Sequence, residues 1–398
     1  MQNIFSPADI LVPKCDLSKW AVIACDQYTS EPEYWDKVKK TVGDSPSALN
    51  ITLPEIYLKD DNSLSIDAIN GEMSKLLKND IFAEYKDSYI FVERLQSDNR
   101  TRYELIGKVD LEAYDYMPNT TAPIRASEKT VVERIPPRVK IREKAPLEMP
   151  HILLLAEDKD FLVMNIINNN MSSFKKLYDF DLMQNGGHIK AWLVDDKTKY
   201  EITKAFDTLY TQSEGMLFCV GDGNHSLATA KECYNKNPNE KNRYALVSVV
   251  NIFDTAIDFE PIYRVVFGAS PETVINAFLS YTNGEYDGAD AQKFTCVFKN
   301  GAKTISVKPL HKLPVGTLQI FLDDYLKDKK DIEIDYIHGE NSLEKICQNE
   351  NAVGFLFDGM KKDELFFAVR KEGSLPRKTF SMGYADDKRF YIEARKIK

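Results

Sequence analysis

The sequence has little glycine, proline or cysteine, and it has no long apolar run. Glycine (18) and proline (17) together make up under a tenth of the 398 residues, which excludes collagen-like and low-complexity chains. The longest apolar run, residues 20–25, is far shorter than the about 20 residues that a transmembrane helix needs. The composition therefore predicts a globular protein, and the length predicts two or three domains.

An excess of positive charge is also lacking, since 52 lysines and arginines stand against 61 aspartates and glutamates. The net charge of −9 argues against a nucleic-acid partner, whose binding would depend on excess cations. The six cysteines are far apart and form no Cys-x-x-Cys pair, which favours reduced thiols over disulfides or zinc ligands. The first residues lack the basic and apolar regions of a signal peptide. We therefore expect a cytoplasmic protein that has no metal-ligand cluster and acts on a small molecule.

Strand and helix patterns alternate along the chain, which indicates a mixed α/β to α+β fold. Residues 20–25 are predicted to form a buried strand, and residues 89–95 and 102–111 a hairpin. The alternation of charged and β-branched residues at 138–142 predicts another strand, as does the apolar run at 365–369. Three segments are expected: an N-terminal α+β segment (1–145) that contributes to the core, the core itself (146–268) and a C-terminal α+β segment (269–398).

The sharpest motif is Gly221-Asp222-Gly223-Asn224-His225-Ser226, which lies between a predicted strand (216–220) and a predicted helix (227–234). Glycine lets a ligand approach the backbone closely, and the first turn of a helix presents N–H groups that attract phosphate. Asn224, His225 and Ser226 add polar side chains to the same turn. A purely structural turn, capped by Asp222 or Asn224, is the alternative, and the density of polar side chains favours a binding site over it.

Neither named phosphate motif matches this turn. The P-loop pattern Gly-x4-Gly-Lys-Ser/Thr is absent from the sequence. The dinucleotide pattern Gly-x-Gly-x-x-Gly matches at Gly221 and Gly223 but has Ser226 in place of its third glycine. The motif therefore indicates phosphate chemistry without identifying the ligand.

Other candidate residues lie outside the turn. Arg134 and Arg138 belong to a window with an excess of cations and could hold an anion, although a solvated surface explains them as well. Lys378 lies in a polar loop near the C-terminus. Asp26 directly follows the predicted strand at 20–25, a position where ligand-facing side chains are common. Of the five histidines, His225 is favoured for a functional role because of its loop.

The sequence resembles the domain of unknown function 1015 family over nearly its whole length. Four motifs carry the resemblance: residues 220–230, which include the turn, Glu133-Arg134-Ile135-Pro136-Pro137-Arg138, Gly186-Gly187-His188-Ile189 and Leu375-Pro376-Arg377-Lys378-Thr379. The family is grouped with the ParB and sulfiredoxin-like superfamily, which includes CTP-binding partition proteins, ATP-using sulfiredoxins and kinases of free serine. The resemblance thus implies a ParB/sulfiredoxin-like core with flanking α+β segments.

The resemblance also implies that residues 221–226 form the turn that holds nucleotide phosphates in this superfamily. The arginine that usually ends the turn is replaced by Ser226. A cation must therefore come from elsewhere, and Arg134, Arg138 and Lys378 are the candidates.

The leading hypothesis is a phosphotransferase that moves a phosphoryl group from ATP or ADP, with Mg²⁺, to the hydroxyl of a small metabolite, with free serine as the first guess. Asp222, ranked first, or Asp26 would accept the hydroxyl proton, and His225 would bind phosphate oxygens. A nucleotide-sensing module without turnover is the alternative that Ser226 favours. An NAD-dependent oxidoreductase ranks last, because it depends on the partial glycine pattern alone.

Overall fold

A computed structural model describes residues 3–58, 62–299, 301–349, 351–383 and 385–398. The helices are α1 (Leu17–Trp20), α2 (Pro32–Val42), α3 (Ser63–Lys78), α4 (Ile135–Arg142), α5 (Leu162–Asn170), α6 (Asp196–Gln212), α7 (Asn224–Lys236), α8 (Pro271–Tyr281), α9 (Pro314–Tyr325), α10 (Glu340–Ile346) and α11 (Glu364–Glu372). Short 3-10 helices lie at Ala48–Ile51, Glu55–Tyr57, Leu111–Ala113, Val132–Arg134, Met171–Ser173 and Ala385–Asp387. Helices and strands are both abundant, so the fold is the mixed α/β type that the sequence predicts.

The strands are β1 (Phe5–Ser6), β2 (Ala8–Pro13), β3 (Val22–Ile23), β4 (Phe82–Ser88), β5 (Ile90–Leu95), β6 (Thr101–Asp110), β7 (Tyr114–Asp115), β8 (Ile124–Ala126), β9 (Leu147–Glu148), β10 (Leu153–Ala156), β11 (Lys175–Asp181), β12 (His188–Leu193), β13 (Phe218–Asp222), β14 (Tyr244–Asn251), β15 (Phe259–Phe267), β16 (Gln292–Phe298), β17 (Gly301–Val307), β18 (Glu333–His338), β19 (Ala352–Leu356), β20 (Phe380–Met382), β21 (Phe390–Tyr391) and β22 (Arg395–Lys396). They belong to two units: the first comprises residues 1–257 and 383–398, and the second comprises residues 258–382. The three segments expected from the sequence stay a prediction.

The first unit is built on a ten-stranded mixed sheet in the order β11-β12-β5-β6-β14-β10-β13-β8-β7, with β1 also paired to β6. Side chains on its strands alternate between two apolar cores, so that Leu246 of β14 belongs to one core and Val247 to the other. Burial on both faces explains why β14 is almost continuously apolar in sequence. Three pairs of short strands, β2-β4, β3-β21 and β9-β22, lie outside this sheet.

The middle of this sheet positions the glycine-containing turn. β10 runs antiparallel to β13, so that Leu153 at the start of β10 is paired with Asp222 at the end of β13. β10 also runs parallel to β14 on its other side, where Ala156 is paired with Asn251. The turn after β13 therefore lies beside the N-terminal end of β10.

The second unit contains an antiparallel sheet in the order β17-β16-β19-β15-β18, with β20 also paired to β15. Aromatic side chains dominate its interior. Phe278 of α8 stacks on Phe321 of α9 at a ring-centroid distance of 4.8 Å, and it meets Phe294 of β16 edge-on at 5.2 Å. Offset and edge-on contacts of this kind stabilise aromatic cores.

Several element predictions are confirmed, one is confirmed in part and two are wrong. Of the strand predicted at residues 20–25, only Val22–Ile23 forms a strand, β3, and Trp20 ends α1. The hairpin is β5-β6, whereas residues 138–142 lie in α4 and residues 365–369 in α11. Pro136 and Pro137 occupy the first turn of α4, where a missing N–H costs nothing, so they begin the helix instead of excluding it. α11 buries Leu365, Phe366, Ala368 and Val369. In the sequence, this wide apolar face resembles the continuous apolar run of a buried strand.

Candidate functional site

The turn after β13 is shaped by Gly223. This residue has φ = +81°, in the left-handed region that favours glycine, and it lies at the N-cap of α7. A Cβ atom added there would lie 3.0 Å from the Cα of Ile152, which precedes β10. Glycine is thus required both by the backbone conformation and by the close approach of the neighbouring chain.

The first turn of α7 carries polar groups without partners. Leu227 is the first residue whose N–H bonds back to the carbonyl of Gly223, at 3.0 Å, so the preceding N–H groups point out of the helix start. Two buried side-chain atoms in the same turn, Asn224 Oδ1 and His225 Nε2, have no hydrogen-bond partner among the residues that the structure describes. Unsatisfied buried polar atoms are costly, and their concentration here indicates a place for a polar ligand.

Asp26 contacts His151, and His151 in turn lies next to Ser226 at the start of α7. The Asp26 Oδ2 atom is 3.4 Å from His151 Nε2, and the Ser226 Oγ atom lies 3.5 Å from the same nitrogen. His151 Nδ1 is 2.9 Å from the hydroxyl of Tyr391, whose own proton points to Cys25 Sγ at 3.1 Å. The hydroxyl of Tyr391 and the carboxylate of Asp26 thus fix both nitrogens of the imidazole.

Contact between Asp26 and His151 shifts the pKa of each towards its charged form. Burial would raise the pKa of Asp26, but the charge and hydrogen bond of His151 outweigh it and hold this pKa well below its usual range. Burial would lower the pKa of His151, but the nearby charges of Asp26 and Asp222 outweigh it and raise this pKa. The side chain of Asp26 keeps 30% exposure while that of His151 has 7%, so the carboxylate is the accessible member of the pair.

The other candidate carboxylate, Asp222, is engaged on both oxygens. Its Oδ1 atom accepts the N–H of Gly223 at 2.9 Å. Its Oδ2 atom lies 3.5 Å from the Nζ of Lys388, which belongs to the C-terminal stretch of the first unit. Asp222 therefore holds the turn and a cation together.

The pKa of His225 is shifted in the opposite direction to that of His151. Burial, and then the positive charges of Arg138 and Arg134, lower the pKa of His225 to about 4. The imidazole is therefore neutral at pH 7 and offers one donor and one acceptor. Any attraction of this histidine for phosphate must come from hydrogen bonding, since it carries no positive charge.

Arg138 lies on α4 and Arg134 is the N-cap residue of this helix. The apolar side of α4 packs against α7 through Ile135, Val139, Ala228 and Cys233. Arg138 forms an ion pair with Glu55 and donates to the carbonyl of Arg134 at 2.8 Å. This packing explains why both arginines act electrostatically on His225 although neither is part of the turn.

The structure thus brings Asp26, Asp222 and the turn together within the first unit, with Arg134 and Arg138 close enough to influence His225. Lys378 belongs to the second unit, where its Nζ atom lies 4.6 Å from the ring centroid of Tyr336. Sequence reasoning did not assign His151 to the site and did not consider Lys388 or Tyr391. The only sequence signal for His151 is its place at the head of a buried strand.

Three further observations concern the described residues outside this turn. A cavity of about 240 Å³ lies elsewhere in the first unit, at the C-terminal end of β10. Among the described residues, no cluster of three or more His, Cys, Asp or Glu side chains could hold a metal ion. Within the same residues, no helix is both long and apolar enough to cross a membrane.

Comparison with known proteins gives distant structural matches. A mutant free serine kinase in complex with ADP has 11% identity and a TM-score of 0.41, over 73% of this chain and 91% of that chain. A conserved hypothetical protein from Pyrococcus furiosus has 11% identity and a TM-score of 0.38, over 73% and 94%. C-terminally truncated SbnI from Staphylococcus aureus has 12% identity and a TM-score of 0.29, over 60% and 82%. No curated protein matches the sequence. The model of a family described as protein of unknown function (DUF1015) matches residues 6–325, and the chain therefore belongs to the DUF1015 family.

Proposed function

We propose that residues 221–226 bind nucleotide phosphates and that the protein transfers a phosphoryl group from a nucleotide to the hydroxyl of a small metabolite. One observation carries the proposal. An ionised, partly exposed carboxylate, Asp26, is held by His151 beside a helix start whose buried polar atoms lack partners. A binding group and a proton acceptor are thus adjacent, as phosphoryl transfer to a hydroxyl requires.

The phosphates would be held by hydrogen bonds at the start of α7. The outward-pointing N–H groups of Asn224, His225 and Ser226 and the positive end of the helix dipole favour an anion there. The neutral imidazole of His225 can donate one further bond. Gly223 holds this turn in place, because its positive φ and the close approach of Ile152 leave no room for a Cβ atom.

We assign the proton-accepting role to Asp26 ahead of Asp222. His151 keeps Asp26 ionised and oriented, while Asp222 is engaged by Gly223 and Lys388. In the reaction, a bond forms between the acceptor oxygen and the terminal phosphorus as the bond from that phosphorus to the bridging oxygen of the nucleotide breaks. The hydroxyl proton passes to the carboxylate of Asp26. Mg²⁺ would arrive with the nucleotide as part of the substrate, since it is commonly held by one or two carboxylates together with the phosphates.

Free serine is the first acceptor to test, because the kinase branch of the superfamily that the sequence resembles acts on it. The second candidate function is nucleotide sensing without turnover, which the replacement of the turn's arginine by Ser226 favours. The expected absence of a nucleic-acid partner and the cytoplasmic location stay predictions, as does the grouping with ParB-like proteins.

The test measures binding and turnover separately. The melting temperature is recorded with ATP, ADP, CTP, GTP and pyrophosphate in the presence of Mg²⁺, for the wild-type protein and for His225→Ala. A ligand at a hundredfold its Kd adds about 2.7 kcal/mol to the free energy of unfolding. We expect ATP or ADP to raise the melting temperature of the wild type and to raise that of the variant less. Mass spectrometry then follows the conversion of serine to phosphoserine.

The outcomes separate the hypotheses. Stabilisation together with phosphoserine supports the kinase. Stabilisation without a phosphorylated product, across serine and other hydroxyl metabolites, leaves the sensing module. If no nucleotide or pyrophosphate stabilises the wild type, the turn is structural and the proposal fails.

A further inference from the structure

The turn of this protein needs a cation that its own residues do not supply. Ser226 stands at the position where the resemblance predicts arginine, and His225 is neutral. Transfer of a phosphoryl group requires neutralisation of the charge that develops on its oxygens. Of the cations expected from the sequence in the first unit, Arg138 is paired with Glu55, and Arg134 is exposed at the N-cap of α4.

Lys388 is a cation that the structure places at the turn. Its Nζ atom lies 3.5 Å from Asp222 Oδ2, at the end of β13, and its side chain is only 14% exposed. The charge of Lys388 also contributes to the lowered pKa of Asp26. Lys388 therefore acts electrostatically on both candidate carboxylates, Asp222 and Asp26.

The backbone around Lys388 is fixed by buried arginines. Arg94, which is 1% exposed, donates to the carbonyls of Lys388 at 2.6 Å and of Asp386 at 2.7 Å. Arg102, also buried, donates to the carbonyl of Asp387 at 2.9 Å. Burying charged groups is costly unless their hydrogen bonds are made, so these contacts tie the segment firmly to the sheet.

The residue after Lys388 continues this anchoring. The buried Arg389 pairs with Glu104 and with Glu393, each at 2.8 Å. Its carbonyl accepts the N–H of Ala24 at 2.9 Å, two residues before Asp26. The same connection therefore positions the lysine and the segment that carries the proton acceptor.

We propose that Lys388 is the phosphate-binding cation of this site and takes the place of the arginine that the turn lacks. An ammonium group has three donors and can bridge a carboxylate and a phosphate oxygen. This proposal rests on the proposed function, since it assigns a residue to the same nucleotide site. It also places part of the site in the C-terminal segment, beyond residues 6–325 that match the family model.

The test compares four variants of the full chain by calorimetric titration of ADP, ATP and pyrophosphate with Mg²⁺, and by the kcat/KM of phosphoryl transfer. Lys388→Met is expected to weaken binding at least tenfold and to lower kcat/KM at least 100-fold. Lys388→Arg, which keeps the charge, should recover most of the binding. Lys396→Met, which removes an exposed lysine of the same segment, should bind and react like the wild type. Arg134→Met tests the exposed arginine as a competing cation.

Each outcome decides one of the two proposals. If wild type and Lys388→Met bind equally, or if only Arg134→Met loses binding, Lys388 forms a structural ion pair and the assignment is overturned. If the wild type binds none of the three probes, the proposed function fails and the assignment of Lys388 fails with it. If the protein binds these probes but transfers no phosphoryl group, the calorimetric titrations alone test the role of Lys388. An unchanged melting temperature without ligand shows that Lys388→Met is folded. If Lys388→Met does not fold, Lys388→Arg provides the second measurement.

Discussion

The two ends of strand β10 have different surroundings. At its N-terminal end, His151 and the turn at Gly223 bring together charged and unpartnered polar groups. At its C-terminal end, about 13 Å away for four residues at 3.3 Å each, lies the cavity of about 240 Å³, which is lined mainly by apolar side chains such as Met164, Ile167 and Phe206. The cavity and the cluster of charged and unpartnered polar groups thus lie at opposite edges of the same sheet.

The two aspartates that line the cavity form hydrogen bonds within the protein. The two oxygens of Asp158 accept the N–H groups of Leu162 and Val163, at 2.9 and 3.0 Å, and so cap α5. Asp254 accepts the N–H groups of Tyr103 at 3.0 Å and Ala256 at 2.8 Å. Unmet hydrogen bonds, and not volume, therefore distinguish the turn as the candidate site.

The largest expected effect comes from two separate variants, each of which replaces one aspartate near one end of β10. Asp26→Asn removes the proton acceptor and is expected to lower the kcat of phosphoryl transfer by about 10² to 10⁴-fold. Asp158→Asn weakens the cap of α5, so we expect a stability loss of about 1 kcal/mol and unchanged kcat. Steady-state assays and urea unfolding measure the two effects.

Unfolding is best followed by tryptophan fluorescence, because Trp20, Trp35 and Trp192 all lie in the first unit. Equal kcat for Asp26→Asn and wild type would remove Asp26 from the mechanism. A lower kcat for Asp158→Asn would show that the cavity end takes part in the reaction.

The second prediction separates two costs of placing a Cβ atom at Gly223: that of the backbone conformation and that of the close contact with Ile152. Gly223 and Gly215 have nearly equal φ angles, +81° and +82°, but a Cβ atom at Gly215 would have no atom within 4 Å. Gly215→Ala should therefore cost about 1 kcal/mol, the conformational cost alone. Gly223→Ala should cost about 2 kcal/mol or more, because Ile152 must move as well. Nucleotide stabilisation should decrease only in Gly223→Ala.

Urea unfolding in the presence and absence of ADP measures both quantities for the two variants. Equal stability losses would mean that the contact with Ile152 relaxes without cost. Full nucleotide stabilisation of Gly223→Ala would show that the phosphates do not lie against this part of the backbone.

Local signals made the turn predictable from the sequence. A buried strand, two glycines and a run of polar residues lie next to one another, and the structure has β13, the turn and α7 in that order. The same local reasoning was wrong for α4, because first-turn prolines and a β-branched alternation resemble a strand. Local pattern is thus informative where one element follows another directly in the chain.

The partners of the turn could not be predicted, because the contacts that bring them together span long stretches of sequence. His151 lies 75 residues before Ser226, and Tyr391 lies 240 residues after His151. Lys388 reaches Asp222 only because β21 pairs with β3 and buried arginines hold the segment before it. Strand order sets these distances, and a single sequence without homologues does not specify strand order.

The smallest expected effect concerns pH, and it compares two histidines at the turn end of β10. The pKa of His151 is raised in the folded protein, so its stabilisation is complete below about pH 6.5, the value for unfolded chains, and is lost as the pH rises through the folded pKa. The pKa of His225 is lowered to about 4, so stability is lost as the pH falls from about 6.5 towards 4.

Replacing His151 and replacing His225 should therefore change the free energy of unfolding in opposite directions. We expect His151→Gln to be less stable than the wild type near pH 6, with a difference that shrinks towards pH 9. His225→Gln should gain stability relative to the wild type as the pH falls below 6.5. Tryptophan-detected urea unfolding from pH 4.5 to 9 measures both differences, at about 1.4 kcal/mol per unit of pKa change. Parallel curves for the two variants would contradict the assigned protonation states, and with them the neutral His225 on which the need for a separate cation depends.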